Sequence, residues 1–261
     1  METIDQIQER INAFTEIEDQ LACIPDGYAE AVLLDLPWGF KTRAPSKNPS
    51  ADRSVEKKYR TMTLKQIKEF VPKVQRICNP KRCHVFMWTT GPFLEKAFPL
   101  LGSMGARYSS VAFYYLKIQR RLAGQVELIT TDPVDLESIM HVNMGFTTRK
   151  NIEPCILGRI GSPKRNGKDV RELIIDWLRE HSEKPEQTRA RIECYCGGPY
   201  VDIFSRRSRP GWLTLGDEIG KFDAAAERPK KIVREKRPAT PKVDEHARCD
   251  ETVDAFNGET K

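Results

Sequence analysis

Apolar residues fall into alternating helix-like and strand-like patterns over roughly the first 220 positions. Ile4, Ile7 and Ile11 recur at the three-to-four spacing of one helical face. AVLLD (31–35) is a short continuous apolar run closed by a carboxylate, the pattern of a buried strand. Thr63 can cap the helix that LKQIKEF opens, where Leu64, Ile67, Phe70 and Val71 share a face. HVFMW (84–88) predicts a second buried strand, and FLEKAFPLLGSMG (93–105) a short helix ending at glycine. VAFYYLK (111–117) is strand-prone, as are PCILGRI (154–160) and, more weakly, VRELIID (170–176). RARIECYC (189–196) reads as a helix, and PYVDIFS (199–205) as the last strand. Alternation of this kind predicts an α/β sheet with crossover helices.

Such sheets bind ligands beyond the carboxyl ends of their strands. Polar residues at predicted strand ends therefore carry weight: Asp35, Thr89 and Thr90, Lys117, and Asp202. Two long interruptions follow predicted strands, at 41–58 and 118–150. The first holds six basic and two acidic residues and almost no large apolar side chain. Long loops in compact domains are usually functional or mobile, and basic loops flanking a pocket suit a polyanion. Solvated insertions without a role are the plainer reading.

A chain of 261 residues, 39% hydrophobic and 31% charged, has room for one large domain. No apolar run approaches the roughly 18 residues of a membrane span, and METIDQIQER lacks a signal-peptide pattern. The expectation is a cytoplasmic protein. The net charge of +6 is compatible with a nucleic-acid partner without requiring one. From 221 onward the chain is first basic (eight Lys/Arg against three Asp/Glu to residue 242) and then acidic (two against six). Few large apolar residues occur there, so a catalytic domain over 1–220 and a disordered charged tail over 221–261 are expected. The seven cysteines form no C-x-x-C pair, and the expectation is reduced, structural thiols and no metal.

AVLLD runs directly into Leu36-Pro37-Trp38. An exocyclic amine on a nucleobase is a weak nucleophile because its lone pair is delocalised into the ring. A site that methylates it needs acceptors for both amino hydrogens and a flat surface for a base withdrawn from its stack. Asp35 supplies one acceptor, the Leu36 carbonyl a second, and Trp38 a surface worth about 1–3 kcal/mol in stacking. An ordinary turn after a buried strand would look the same.

The wider sequence resembles the adenine-N6 methyltransferase family that includes the catalytic subunit of the messenger-RNA adenosine methylase and many bacterial and phage DNA methylases. The family's Asp-Pro-Pro-Trp appears here as Asp35-Leu36-Pro37-Trp38. The likeness continues through YRTMTLKQI (59–67), HVFMWTTGPFLEKAF (84–98), NIEPCILGRIG (151–161), REHSEKPEQ (179–187) and GPYVDIFSRRSRPGWLTLGDEI (198–219). It implies a Rossmann-like, S-adenosylmethionine-dependent methyltransferase fold, with a mostly parallel sheet and helices on both faces. The motif order is permuted, the catalytic turn preceding the main cofactor segment. Position by position it implies cofactor contacts from Asp202, Phe204, Arg206, Asp217, Glu218, Lys184 and Glu16. On the substrate side it implies Tyr59 and Glu153, with Lys41 and Arg43 in the basic loop. Family members often carry Asn-Gln where this chain has Asp217-Glu218.

The activity implied is methyl transfer to adenine N6 in DNA. RNA adenosine methylation is the alternative within the same chemistry, and a catalytically silent nucleic-acid-binding subunit the alternative outside it. A homodimer, or a heterodimer with a related subunit, fits the family.

Overall fold

The computed structural model describes residues 2–39, 60–120, 139–142, 148–179 and 183–223. The loop 41–58 with Lys41 and Arg43, the neighbouring Tyr59, most of 118–150 and the tail from 224 lie outside the described residues.

Seven strands form one sheet: β1 (Ala31–Leu34), β2 (Arg82–Trp88), β3 (Arg107–Ile118), β4 (Ile152–Gly161), β5 (Leu173–Trp177), β6 (Tyr200–Ile203) and β7 (Trp212–Leu215). Their spatial order is β5-β3-β4-β2-β1-β6-β7. Every neighbouring pair is parallel except those made by β4, which runs against both β2 and β3. The fold is therefore the mostly parallel α/β sheet expected of a Rossmann-like methyltransferase.

Five α-helices accompany the strands among the described residues: α1 (Ile4–Asn12), α2 (Ile17–Ala22), α3 (Leu64–Val74), α4 (Leu94–Ser103) and α5 (Gln187–Tyr195). Side chains alternate across β1. Val32 and Leu34 join Ile11 of α1, Leu21 of α2, Phe70 of α3 and Leu101 of α4 in one core, while Ala31 and Leu33 join Phe86, Phe113 and Ile192 of α5 in the other. Because both faces are covered, β1 can be apolar at all four positions. Thr63 caps α3 as expected, in a reciprocal box with Gln66: each accepts from the other's backbone N–H. That fixes the start of a helix whose Phe70 is fully buried, a contribution of about 1.5–3 kcal/mol.

Three features depart from the sequence expectation. PYVDIFS is not the last strand, because WLTL forms β7 on the edge beside β6. Four residues are too few to show a period, and Thr214 breaks the apolar run although it is buried. A second N-terminal helix, α2, was not anticipated. β6 ends sooner than PYVDIFS suggests, since Phe204 adopts φ +67° and turns the chain out of the sheet. Of the cysteines, Cys78, Cys83, Cys155 and Cys196 are buried, and the six in described positions are free thiols. No helix among the described residues is long and apolar enough to cross a membrane.

Candidate functional site

From β1 the chain continues to β2 on one side of the sheet, and later returns as β6 on the other. The helices that lead into these two neighbours, α3 and α5, consequently pack on opposite faces of the sheet, which leaves at the carboxyl end of β1 the kind of crevice where open α/β sheets bind ligands. Asp35 is the first residue beyond β1, and its N–H donates to the Ile203 carbonyl at the end of β6 (3.2 Å).

The turn after Asp35 is tied down at each step. The Leu36 carbonyl accepts from the Trp38 N–H (2.9 Å), and the Pro37 carbonyl from the Met62 N–H (2.9 Å). Trp38 Nε1 donates to the Trp88 carbonyl at the end of β2 (3.4 Å). Two details revise the picture drawn from sequence. The Leu36 carbonyl already accepts one bond, so one lone pair remains for anything else. Trp38 is not an open platform: the residue is 5% exposed, and its ring stacks on Phe93, centroids 4.8 Å apart. The tryptophan that reaches the crevice is Trp88.

The crevice itself is a cleft open to solvent and lined by Asp35, Trp88, Lys184, Asp202, Phe204 and Arg206, among others. Lys184 Nζ lies 2.7 and 2.8 Å from the two Asp35 oxygens and 3.7 Å from Glu153. Glu153 in turn pairs with Lys117. Two carboxylates and two ammonium groups thus alternate, Asp35–Lys184–Glu153–Lys117, and sum to no net charge. Burial pushes the Asp35 carboxyl above the usual carboxylate range, and Lys184 opposes that shift. For Glu153 burial pulls upward too, but it has two cations, Lys184 and Lys117, and its carboxyl is held below the usual range.

Asp202, one position short of the end of β6, is buried and bound by Arg189 of α5 (2.6 Å). Arg189 also donates to Ser205 Oγ (2.6 Å), Glu186 (2.7 Å) and the Arg207 carbonyl (3.2 Å). It ties α5 to the turn that follows β6. Burial raises the Asp202 carboxyl, against the pull of Arg189. Sequence reasoning missed Arg189, although a signal existed: it shares a helical face with the buried Ile192, an unusual place for an unpaired cation.

The remaining candidates lie further along this rim. Arg206 pairs with Glu218 (3.1 Å) and sits over the Phe222 ring. Glu16 pairs with Arg60 (3.2 Å), whose guanidinium is held above its ordinary value by Glu16 first and then by Asp217. Among the described residues no cluster of three or more metal-ligating side chains occurs.

The MT-A70 family model matches residues 29–218, a span that holds all seven strands and, Phe222 apart, the residues that line the cleft. The type II methyltransferase M.MunI of Mycoplasma sp is 27% identical over 224 residues, 80% of this chain and 84% of that protein. A putative N(6)-adenosine-methyltransferase MT-A70-like protein of Medicago truncatula is 27% identical over 139 residues, 52% of this chain and 20% of that one. Its Arabidopsis thaliana counterpart is 24% identical over 139 residues, 52% of this chain and 18% of that one. The chain therefore spans about a fifth of the plant relatives' length, but most of M.MunI.

Proposed function

The chain belongs to the MT-A70 family, and from that premise we propose that it transfers a methyl group from S-adenosylmethionine to the exocyclic N6 amine of adenine in DNA. The observation that carries this reading is a carboxylate, Asp35, held by Lys184 through both oxygens at the topological switch of the sheet. DNA is preferred because the likeness to a type II methyltransferase runs through most of both chains, whereas the plant relatives match only part of this one.

The cleft suits the methyl donor. Trp88 and Thr188 both line it, and their Nε1 and Oγ1 atoms are buried without a hydrogen-bond partner. Buried polar atoms of that kind call for a ligand that can hydrogen-bond. Phe204, Arg206 and Glu218 would hold the donor's aromatic and polar ends, with Glu16 and Asp217 on the outer rim. When bound, S-adenosylmethionine supplies an electrophilic methyl carbon whose bond to sulfur breaks as the N–C bond forms.

The protein's own share is positioning. Asp35 accepts one N6 hydrogen, and the free lone pair of the Leu36 carbonyl accepts the other. Each Asp35 oxygen that accepts from Lys184 keeps a further lone pair for this, and Glu153, 3.7 Å from Lys184, shares that cation's charge. Asp202, with Arg189, keeps the end of β6 and the turn at Ser205 in place. The proton lost from nitrogen passes to water, and no covalent enzyme intermediate is required.

Incubation with labelled donor and duplex DNA, single-stranded DNA or RNA tests the assignment. Label should enter DNA; label confined to RNA would move the function to RNA adenosines. Asp35→Asn should reduce turnover at least about a hundredfold, with donor binding by calorimetry retained. No donor binding by the unaltered protein would identify it as a silent subunit.

A further inference from the structure

A second recess lies away from the cleft, on the face of the sheet that α5 covers. It is an open groove between β3, β4 and the end of α5, lined by Ser110, Phe113, Arg159, Arg165, Glu172 and Tyr195, among others. Arg159 is half-buried, and its Nε is inaccessible and has no acceptor.

That makes Arg159 an exception. The other buried or half-buried arginines of the described residues are Arg179, Arg189, Arg191, Arg206, Arg207 and Arg209. Five of them pair with carboxylates, and Arg191 donates to the Arg171 and Leu173 carbonyls. Arg165 joins Arg159 at the groove from the segment 162–171, which carries Lys164, Arg165, Lys168 and Arg171 against Asp169 alone. Glu172, the carboxylate at the rim, forms no salt bridge with either guanidinium. Arg159 faces His84 across the β2–β4 ladder, and His84 is held down to about 4, by burial first and then by Arg159. An unpaired guanidinium in a partly desolvated groove is costly unless an anion completes it.

We propose that this groove is a second contact for the nucleic-acid substrate, in which Arg159 and Arg165 bind backbone phosphate away from the target base. The proposal rests on the methyltransferase reading for its choice of anion. Spacing supports it. Glu153 and Arg159 stand six residues apart on the same face of β4, roughly 20 Å at the rise of a strand. That is about six nucleotide steps of a duplex strand. A substrate centred on the cleft would need a flank of this length to reach the groove.

The test uses the full chain and fluorescein-labelled DNA duplexes of about 10 and about 30 base pairs, with affinity measured as a function of salt. Arg165→Gln is on the surface and should fold; the double variant Arg159→Gln/Arg165→Gln removes both contacts. Lys65→Gln, an exposed charge on α3 that touches neither site, is the control. The unaltered protein should bind the long duplex several-fold more tightly than the short one, and the double variant should lose that gain. Each lost phosphate contact flattens the plot of log affinity against log salt by about 0.9, so the double variant should flatten by about 1.8, the single by about half that, and the control by almost nothing. Unchanged slopes, or equal loss in the control, would overturn the proposal. So would variants that alter self-association but not DNA binding, which would give the groove to a second copy of the chain. Methyl transfer measured in parallel separates the two claims. Flattened slopes without any turnover would sink the enzymatic reading alone, and turnover with unchanged slopes the groove alone.

Discussion

The cleft at the carboxyl edge and the groove on the α5 face are both rich in charge, but they treat it in opposite ways. At the edge every buried charge has a partner from the chain itself: Lys184 for Asp35, Lys117 for Glu153, Arg189 for Asp202. In the groove the guanidiniums of Arg159 and Arg165 have none. A self-paired site gains little net attraction on binding, since its charges already neutralise one another; what it offers is geometry. An unpaired site offers attraction, at a standing cost in the free protein. The division implied is that the edge positions the reacting amine while the groove contributes affinity.

The largest expected effect sets an arginine from each region side by side. Arg189→Met strands the buried Asp202 carboxylate, and breaking such a pair typically costs about 3–5 kcal/mol. Arg159→Met keeps the apolar stem and removes a cation that has no partner, so it should cost no more than about 0.5 kcal/mol. Urea unfolding at unchanged m-value measures both. Equal losses would mean that Arg159 has a structural role after all, and the contrast would collapse.

A smaller effect is expected on pH dependence. Burial raises the Asp35 carboxyl while Lys184 draws it back. Accepting an amine hydrogen needs the ionised form, so the acid limb of the kcat profile should lie above the ordinary aspartate range. Lys184→Met removes the stabilising cation and should move that limb to still higher pH. A limb that stays in place would show that Lys184 does not act on Asp35 during turnover.

The parts legible in the sequence are those encoded by neighbours in the chain. Thr63 and Gln66 are three residues apart, so the cap of α3 could be read directly. AVLLD was legible as a run, and with it the position of Asp35 at a strand end. The direction of β4 was not, because nothing local in PCILGRI distinguishes a parallel strand from an antiparallel one. Pairings across many residues were hidden too: Lys184 is 149 positions from Asp35, and only the folded sheet brings them together. Trp38 shows a subtler limit. Its residue type suggested an exposed stacking surface, but Phe93 and the Trp88 carbonyl turn it inward. Arg159 could have been suspected, since alternation along PCILGRI puts it on the same face as Cys155 and Leu157.

The smallest effect is expected at Leu36. Replacing it by proline restores the family's usual residue, keeps the carbonyl that accepts from Trp38, and restricts Asp35 to extended angles. Yet the Leu36 side chain is buried in the same core as Val32 and Phe70, and proline is smaller by about one methylene, or ~0.8 kcal/mol of burial. Leu36→Pro should therefore lower stability slightly and leave the rate within about tenfold, roughly 1.4 kcal/mol of barrier. If charge pairing orients Asp35, a stiffer turn has little left to improve. A gain beyond tenfold would show instead that backbone freedom limits the edge, and the two regions would then differ in rigidity as much as in charge.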